Sequence, residues 1–291
     1  MIIMKLMGGL GNQMFQYSCG RALSLRKGVP LKLDLGFLLD RTPKKNFIFR
    51  DYDLPIFRCN PEIASQTDKD RILRKRFFLR NKHVNKIFPI KNRYYYTEKT
   101  TNYDNNIEKI GSEVFLEGYW QSYKYFSDFN DVIKKDFEFK HNLDSKEEVI
   151  NQMIKSTNSV CVNVRRADFL ASSFHGVCGE KYFKDGVNYL ENFETDLKIF
   201  VFSDDMDWCK KNLKFNHKTF FVGHEYAGHK FQSYLNLMTN CKYFIIPNSS
   251  FGWWAAWLCN NPKKIIITPK KWYGNVQKTT PDLIPSNWVR I

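Results

Sequence analysis

Short apolar runs alternate with helical patterns in the second half of the chain, and this alternation constrains the fold more than any other feature. The predicted strands are Ser159–Val164, Leu197–Ser203, Phe220–Val222, Tyr243–Pro247 and Lys264–Thr268. The predicted helices between them span about 180–193, 206–213, 230–240 and 250–260. Strands that are apolar throughout and linked by helices are typical of parallel sheets covered on both faces. The pattern therefore predicts a Rossmann-like α/β domain that begins near residue 150.

The first half opens with a unit of the same kind. Residues 2–7 are apolar apart from Lys5, a glycine-rich turn follows at 8–11, and apolar residues then recur at helical spacing. Gly28 predicts the end of this helix, and the alternation over 31–35 predicts the next strand. We therefore expect a β-α-β unit at the start of the first domain, and short helices and loops over residues 40–113.

The composition excludes several classes of protein. With 43% hydrophobic and 26% charged residues in 291, the chain is neither disordered nor collagen-like. No apolar run approaches the roughly 18 to 20 residues needed to cross a bilayer, and Gly8–Gln13 interrupts the stretch that would be apolar in a signal peptide. The seven cysteines are dispersed and show no zinc-type spacing. We expect a cytoplasmic protein with reduced thiols.

The formal net charge is +15, and its densest part is the basic stretch, residues 71–93, with nine Lys or Arg and no acid. Such a stretch can attract nucleic acid, an anionic membrane surface or an acidic substrate, although a solvated basic helix would look the same. Aromatic residues in and after it suit base stacking and burial equally. A non-catalytic binder of nucleic acid or of an anionic surface is therefore one alternative, but we expect no nucleic-acid partner.

Polar residues follow the predicted strands of the second half at their carboxyl ends, where ligands bind in doubly wound sheets. They are Arg165, Arg166 and Asp168 after the first strand, Asp204 and Asp205 after the second, and Asn248, Ser249 and Ser250 after the fourth. Guanidinium groups match phosphate oxygens bidentately, and hydroxyls and helix-start amides add neutral donors. The set is typical of a nucleoside diphosphate site. One arginine should pair with a carboxylate, for which Asp168 is the nearest candidate.

Two further motifs allow more than one interpretation. The glycine turn at 8–11 lacks both the GxGxxG spacing and the Walker lysine, but Asn12 and Gln13 after it favour a ligand-facing loop over simple helix caps. Asp205 and Asp207 form a DxD sequence of the kind that metal-dependent sugar transferases use to hold a cation. The alternative is that one of these aspartates caps the following helix. The histidines show no HExxH or triad signature.

Six segments taken together carry a family resemblance. They are GGLGNQMFQYSCGRALSL (8–25), FLEGYWQSYKYF (115–126), VNVRRADF (162–169), VFSDDMDW (201–208), NCKYFIIPNSSFGWWAAWL (240–258) and PKKWY (269–273). They resemble glycosyltransferase family 11, the α-1,2-fucosyltransferases, in the soluble bacterial form. The resemblance implies a GT-B-like α/β fold of two Rossmann-like domains facing a cleft. Residues 1–149 would form the acceptor-side domain with a basic helical insert, and residues 150–291 the GDP-sugar domain.

The resemblance also implies an activity. An inverting fucosyltransferase would move L-fucose from GDP-fucose to a hydroxyl, O2 by expectation, of a galactose-type acceptor in glycan or polysaccharide assembly, without a metal or other cofactor. Related enzymes carry HxRRxD, so Arg165 would contact the donor pyrophosphate, Arg166 would support it and Asp168 would order the loop. Asn163 stands where relatives usually have histidine. An amide can bind a guanine edge or ribose but cannot gain a proton, so another GDP-sugar is also open.

The same resemblance implies further contacts with the donor. Asp204 or Asp205 would accept hydrogen bonds from guanine, while Ser249, Ser250 and Phe251 would contact phosphate or ribose, and Asn12 and Gln13 would face the reacting sugar. We expect the basic stretch to give peripheral contact with the anionic inner face of the membrane. A transferase of another nucleotide sugar that binds metal through Asp205 and Asp207 is the second alternative. The residues do not identify a general base.

Overall fold

Two parallel sheets organise the chain. The computed structural model describes residues 1–43, 48–74, 88–170, 176–274 and 281–291. The chain divides into two units. The first comprises Met1–Glu138 and Thr280–Ile284, and the second comprises Phe139–Thr279 and Pro285–Ile291. Each unit contains one parallel sheet connected through helices, so the predicted α/β class with two Rossmann-like domains is confirmed.

The first unit contains a five-stranded sheet. Its strands are β1 (Ile2–Lys5), β2 (Leu31–Asp34), β3 (Glu62–Ile63), β4 (Tyr95–Thr97) and β5 (Val114–Glu117). Its described helices are α1 (Leu10–Lys27), α2 (Gly36–Leu39), α3 (Gln66–Arg74) and α4 (Asn130–Asp136). The strand order is β3-β2-β1-β5-β4, and each neighbouring pair is parallel. Strand β1, in which Ile2, Ile3 and Met4 are fully buried, lies at the centre of this sheet.

The β-α-β opening is confirmed. Strand β1 pairs in parallel with β2 from Ile2 against Leu31 onward, with α1 between them. Helix α1 ends at Gly28, whose φ of 62° is left-handed and whose N–H bonds to the carbonyls of the last turn. Arg26 and Lys27 lie in that turn, where their positive charges interact favourably with the negative end of the helix dipole.

The expectation of only short helices and loops over residues 40–113 is corrected in part. Glu62–Ile63 pairs with β2, and Tyr95–Thr97 pairs with β5, so this region supplies both edge strands of the first sheet. These strands have two and three residues, which is too short for an apolar alternation to be visible. Residues 75–87, most of the basic stretch, lie outside the described part of the chain.

The second unit contains a six-stranded sheet. Its strands are β6 (Asn158–Val164), β7 (Leu197–Ser203), β8 (Lys218–Val222), β9 (Tyr243–Ile245), β10 (Ile266–Thr268) and β11 (Val289–Arg290). Its described helices are α5 (Ser145–Lys155), α6 (Ala167–Leu170), α7 (Glu180–Glu191), α8 (Met206–Asn212), α9 (Gln232–Thr239) and α10 (Ser250–Leu258). The order is β11-β10-β9-β6-β7-β8, parallel throughout.

All five strands predicted in this half are present: β7 has the predicted bounds, and each of the others differs at one end by one or two residues. Val160, Val162, Ile199 and Val201 lie in one buried cluster, as expected of strands covered by helices. The sixth strand, Val289–Arg290, was not predicted because it has only two residues. The division near residue 138 also differs from the expected boundary at 150, which falls inside α5. Ile150 and Ile154 of α5 are buried in the second unit.

The remaining whole-chain expectations concern membranes and thiols. Among the described residues, no helix combines the length and apolar character needed to cross a membrane. All seven cysteines are free thiols; six are buried, and Cys178 is half-buried. The expectation that the cysteines are mostly buried is confirmed.

Candidate functional site

The sheet order of the second unit brings the carboxyl ends of three strands together. Strand β6 lies between β7 and β9, and Val164 is in register with Ser203. The residues that follow these two positions, Arg165 and Asp204, are therefore neighbours, as are Arg166 and Asp205. The loop after β9 lies beside them on the other side of β6. This edge of the sheet is where ligands bind in open α/β folds.

Arg165 forms an ion pair with Asp204. Its Nη1 lies 3.1 Å from Oδ2 of Asp204, and 30% of the arginine side chain is exposed. Asp204 also accepts hydrogen bonds from the backbone N–H groups of Arg166 at 2.9 Å and Ala167 at 3.2 Å. Asp204 thus orders the loop after β6, the role that the resemblance implied for Asp168. The side chain of Asp168 lies outside the described residues.

Arg166 is held more tightly than Arg165. Its Nε lies 3.3 Å from Oδ2 of Asp205, and its guanidinium carbon lies 3.9 Å from the ring centre of Trp208. Only 14% of its side chain is exposed. Stacking on an indole adds cation–π attraction to the ion pair. This geometry agrees with a supporting role for Arg166. Trp208 was missed as a site residue, because sequence alone does not show which ring an arginine covers.

The two aspartates have structural partners within the protein. Oδ1 of Asp205 accepts the N–H of Trp208 at 3.2 Å and caps α8, which is the capping interpretation of the DxD sequence. Three protein donors contact the carboxylate of Asp204, which has about four acceptor positions. A guanine contact through Asp204 or Asp205 stays a prediction. Within the described ranges, no group of three or more metal-ligating side chains is found.

Asn163, the penultimate residue of β6, is buried. Its Nδ2 donates to the carbonyl of Phe202 at 3.3 Å, and only 7% of the residue is exposed. Its buried Oδ1 has no hydrogen-bond partner in the described part of the chain and lies against Gly252 of α10, where an added Cβ would approach it to 2.6 Å. The side chain thus packs between β7 and α10, and the expected donor contact through Asn163 stays a prediction.

The loop after β9 leads into α10. Ser249 is the N-cap residue of α10, and its side chain makes no cap hydrogen bond to that helix. Asn248 anchors the loop, because its Nδ2 donates to the carbonyls of Trp272 at 2.9 Å and Gly176 at 3.2 Å. Ser250 and Phe251 form the first turn of the helix, whose N–H groups point to the carboxyl edge. Their expected phosphate or ribose contacts stay predictions. The sequence places Asn248 among the polar residues of the site but does not reveal this anchoring role.

Asn12 and Gln13 lie in the first unit, and the structure separates their roles. The Nε2 of Gln13 donates to the carbonyls of Gly8 at 2.9 Å and Asp51 at 2.7 Å, and its Oε1 accepts the N–H of Asp53 at 2.9 Å. Gln13 is fully buried. The expectation that it faces the reacting sugar is therefore corrected. Asn12 is half-buried, and its Oδ1 accepts from Gln121 at 2.7 Å.

Glu98 is a half-buried carboxylate at the carboxyl edge of the first sheet. It accepts the N–H groups of Tyr119 at 2.7 Å and Trp120 at 3.0 Å, beyond the end of β5. Burial raises the pKa of Glu98 above its ordinary value, although those two hydrogen bonds act in the opposite direction. No sequence signal identifies this residue, because a lone glutamate in a polar region looks like any surface acid.

Comparison with known proteins agrees with this architecture. The family described as Glycosyl transferase family 11 matches residues 1–291. The chain is 34% identical to an alpha-1,2-colitosyltransferase of Escherichia coli, over 100% of this chain and 98% of the relative. It is 28% identical to the O-antigen biosynthesis glycosyltransferase WbnK of Escherichia coli, over 98% and 99%. A structure of an Arabidopsis thaliana FUT1 mutant in complex with GDP has a TM-score of 0.51 at 10% identity, covering 93% of this chain and 71% of that one, and shows a similar fold.

Proposed function

Because the chain belongs to glycosyltransferase family 11, we propose that it transfers a 6-deoxyhexose from a GDP-sugar to a hydroxyl of a galactose-type acceptor. The observation that carries this proposal is the paired Arg165 and Asp204 at the carboxyl edge of the second sheet, where a diphosphate would meet a partly exposed arginine on an ordered loop. L-fucose is the proposed sugar, with inversion of the anomeric carbon and transfer to O2 in glycan or polysaccharide assembly.

The chemistry requires stabilisation of a leaving group. As the bond between the sugar and the diphosphate breaks, negative charge accumulates on the diphosphate and the sugar becomes oxocarbenium-like. Arg165 can donate to those oxygens as the charge develops, and the loss of one such contact typically slows reaction about 100- to 1000-fold. Arg166 stabilises the same loop, because it pairs with Asp205 and packs over the ring of Trp208. A fixed guanidinium performs here what a cation performs in metal-dependent transferases.

The name of one relative suggests GDP-colitose as a second candidate donor. The Escherichia coli colitosyltransferase is 34% identical over the whole chain, and colitose is fucose without its C3 hydroxyl. A site that hydrogen-bonds that hydroxyl would reject the deoxy sugar by about 10,000-fold, whereas an apolar site would discriminate only about 10- to 200-fold. The ratio of kcat/KM for GDP-fucose and GDP-colitose, measured with one galactose-terminated acceptor, therefore identifies the donor.

The donor class is tested by thermal shift with GDP, GDP-fucose, GDP-mannose and UDP-galactose. We expect stabilisation by the guanine compounds and none by UDP-galactose. Stabilisation by UDP-galactose alone would contradict the proposal. Transfer that continues unchanged in excess EDTA would separate it from the metal-dependent alternative through Asp205 and Asp207.

We also propose a cytoplasmic location with peripheral contact at an anionic membrane, where lipid-linked acceptors are assembled. The basic stretch supports this idea through its charge, at about 1 kcal/mol per basic residue near such a surface. Co-sedimentation with vesicles that contain phosphatidylglycerol tests it: charge reversal at Arg71 and Arg93 should reduce the bound fraction. Binding that is unchanged by reversal, or binding to DNA instead, would contradict it.

A further inference from the structure

The segment after β8 lies beside the proposed donor site. Residues 223–231 follow β8 at the carboxyl edge of the second sheet, and β8 neighbours β7. The imidazole Nε2 of His224 lies 2.9 Å from the carbonyl oxygen of Ser203, the last residue of β7. The segment therefore adjoins the loop that contains Asp204 and Asp205.

The backbone of this segment adopts an unfavourable conformation. Gly228, Lys230 and Phe231 have φ values of 68°, 52° and 61°. In this left-handed region, the Cβ of a non-glycine residue crowds the following carbonyl oxygen. Among the described residues, only one other non-glycine position, Trp120, has a positive φ. Conformations of this kind persist where the surrounding structure fixes them, and they concentrate at ligand clamps.

Neighbouring groups fix the segment in this conformation. The carbonyl of Ala227 accepts the N–H groups of Ser233 at 3.0 Å and Tyr234 at 3.2 Å. The hydroxyl of Tyr234 donates to the carbonyl of Val222 at the end of β8. A Cβ at Gly228 would come within 2.2 Å of Oγ of Ser233, so glycine is required there for space as well as for its φ.

The result of this arrangement is an aromatic ring held at the surface. Phe231 is 50% exposed, so burial does not explain the strained backbone. Its ring centre lies 6.3 Å from His224 at an interplanar angle of 88°, and 6.1 Å from Tyr234 at 59°. These two rings support Phe231 in tilted and edge contacts and fix its orientation.

We infer that Phe231 is a stacking platform for the base of the bound nucleoside diphosphate; this inference rests on the proposed function. The carboxylates of Asp204 and Asp205 are largely occupied by Arg165, Arg166 and backbone N–H groups. Much of the base affinity therefore has to come from a surface other than these carboxylates. A fixed aromatic ring stacks on any base, and one such contact changes affinity about 5- to 150-fold.

The test compares GDP and inorganic pyrophosphate binding by calorimetry in four proteins. These are the wild type, Phe231→Ala, Phe231→Tyr and the control Phe193→Ala, whose aromatic side chain is 59% exposed after α7, ahead of the amino end of β7. We expect Phe231→Ala to raise the Kd for GDP by about 5- to 150-fold. Its pyrophosphate affinity, and GDP binding by Phe231→Tyr and Phe193→Ala, should stay within about threefold of wild type.

Two results would overturn the inference. The first is a Kd of Phe231→Ala for GDP that is less than about fivefold above the wild-type value. The second is an equal loss of GDP and pyrophosphate binding, because that pattern indicates a disturbed loop and not a lost stack. If the wild-type protein itself does not bind GDP, the proposed function fails, and this outcome is distinct from both.

Discussion

Arg165 and Arg166 are adjacent in the chain but have different surroundings. Arg166 is enclosed by Asp205 and Trp208, whereas Arg165 pairs with Asp204 and keeps about twice the exposed fraction, 30% against 14%. An arginine that is to meet a ligand must keep part of its fork accessible, and one that supports a loop need not. The donor-contacting role is therefore better suited to Arg165.

Arg165→Ala should lower kcat about 100- to 1000-fold, because it removes a donor to the leaving diphosphate. The fold should survive, since Asp204 still accepts the N–H groups of Arg166 and Ala167. Arg58→Ala, which alters an exposed ion pair with Glu138, is the matched control and should retain full activity. Steady-state kinetics and melting temperature measure both effects. Retention of more than about a tenth of wild-type kcat by Arg165→Ala would contradict the role.

At this scale the sequence predicts which residues follow the strands but not which of them pair. The nearest carboxylate along the chain is Asp168, yet the partner that the structure describes for Arg165 is Asp204, because β6 and β7 run in register up to Val164 and Ser203. Gln13 illustrates a second limit. An amide after a glycine turn resembles a ligand contact, and only the backbone groups of residues 51 and 53 show that it is already satisfied.

Helix α1 shows how a local signal in the sequence can fix the end of an element. Gly28 provides the left-handed residue at which the helix stops, and no atom of the described residues lies within 4 Å of the position that a Cβ would occupy. The cost of any side chain at this position is therefore conformational, without a steric clash against the rest of the unit.

Gly28→Ala should destabilise the protein by about 1 kcal/mol, because an L-residue is strained in the left-handed region. For a protein of this size we expect the melting temperature to fall by about 1 to 2 °C. Gly28→Asn should lose less, since asparagine tolerates this conformation better than alanine. A melting temperature for Gly28→Ala equal to or above that of the wild type would contradict the capping geometry.

Strands that lie in an apolar run could be predicted from the sequence, including the three-residue β9 and β10, whereas short strands without such a run could not. Strands β6 and β7 have seven residues each, and their apolar character identifies them. Strands β3, β4 and β11 have two or three residues and depend on hydrogen bonding to a neighbouring strand that is distant in sequence. Their formation is a tertiary effect with no local pattern.

At the scale of the whole molecule, the chain returns to the first unit near its end. Residues 281–284 belong to the first unit, where Leu283 and Ile284 are buried, and β11 then completes the sheet of the second unit. Asp282 anchors the return: its carboxylate accepts from Nζ of Lys124 at 2.5 Å and from the N–H of Tyr103 at 2.9 Å. A division of the chain at one boundary, as the sequence suggested, cannot represent this topology.

Asp282→Asn should lower the melting temperature at neutral pH, and the deficit should shrink in acid. Burial alone would raise the pKa of Asp282, but the hydrogen bonds from Lys124 and Tyr103 outweigh it, so the pKa is lowered from 3.8. A lowered pKa gives stability that is present above 3.8 and is lost as the pH falls through the folded value. Melting curves of both proteins from about pH 7 to about pH 3 test this. A deficit that grows on acidification would contradict it.

The central claim is that a GDP-sugar binds at the carboxyl edge of the second sheet, with its diphosphate on Arg165. A crystal structure of the protein with GDP tests this claim most directly. We predict that the diphosphate oxygens lie within hydrogen-bond distance of the Arg165 guanidinium, near the start of α10. The claim is contradicted if GDP occupies another part of the molecule, out of reach of Arg165.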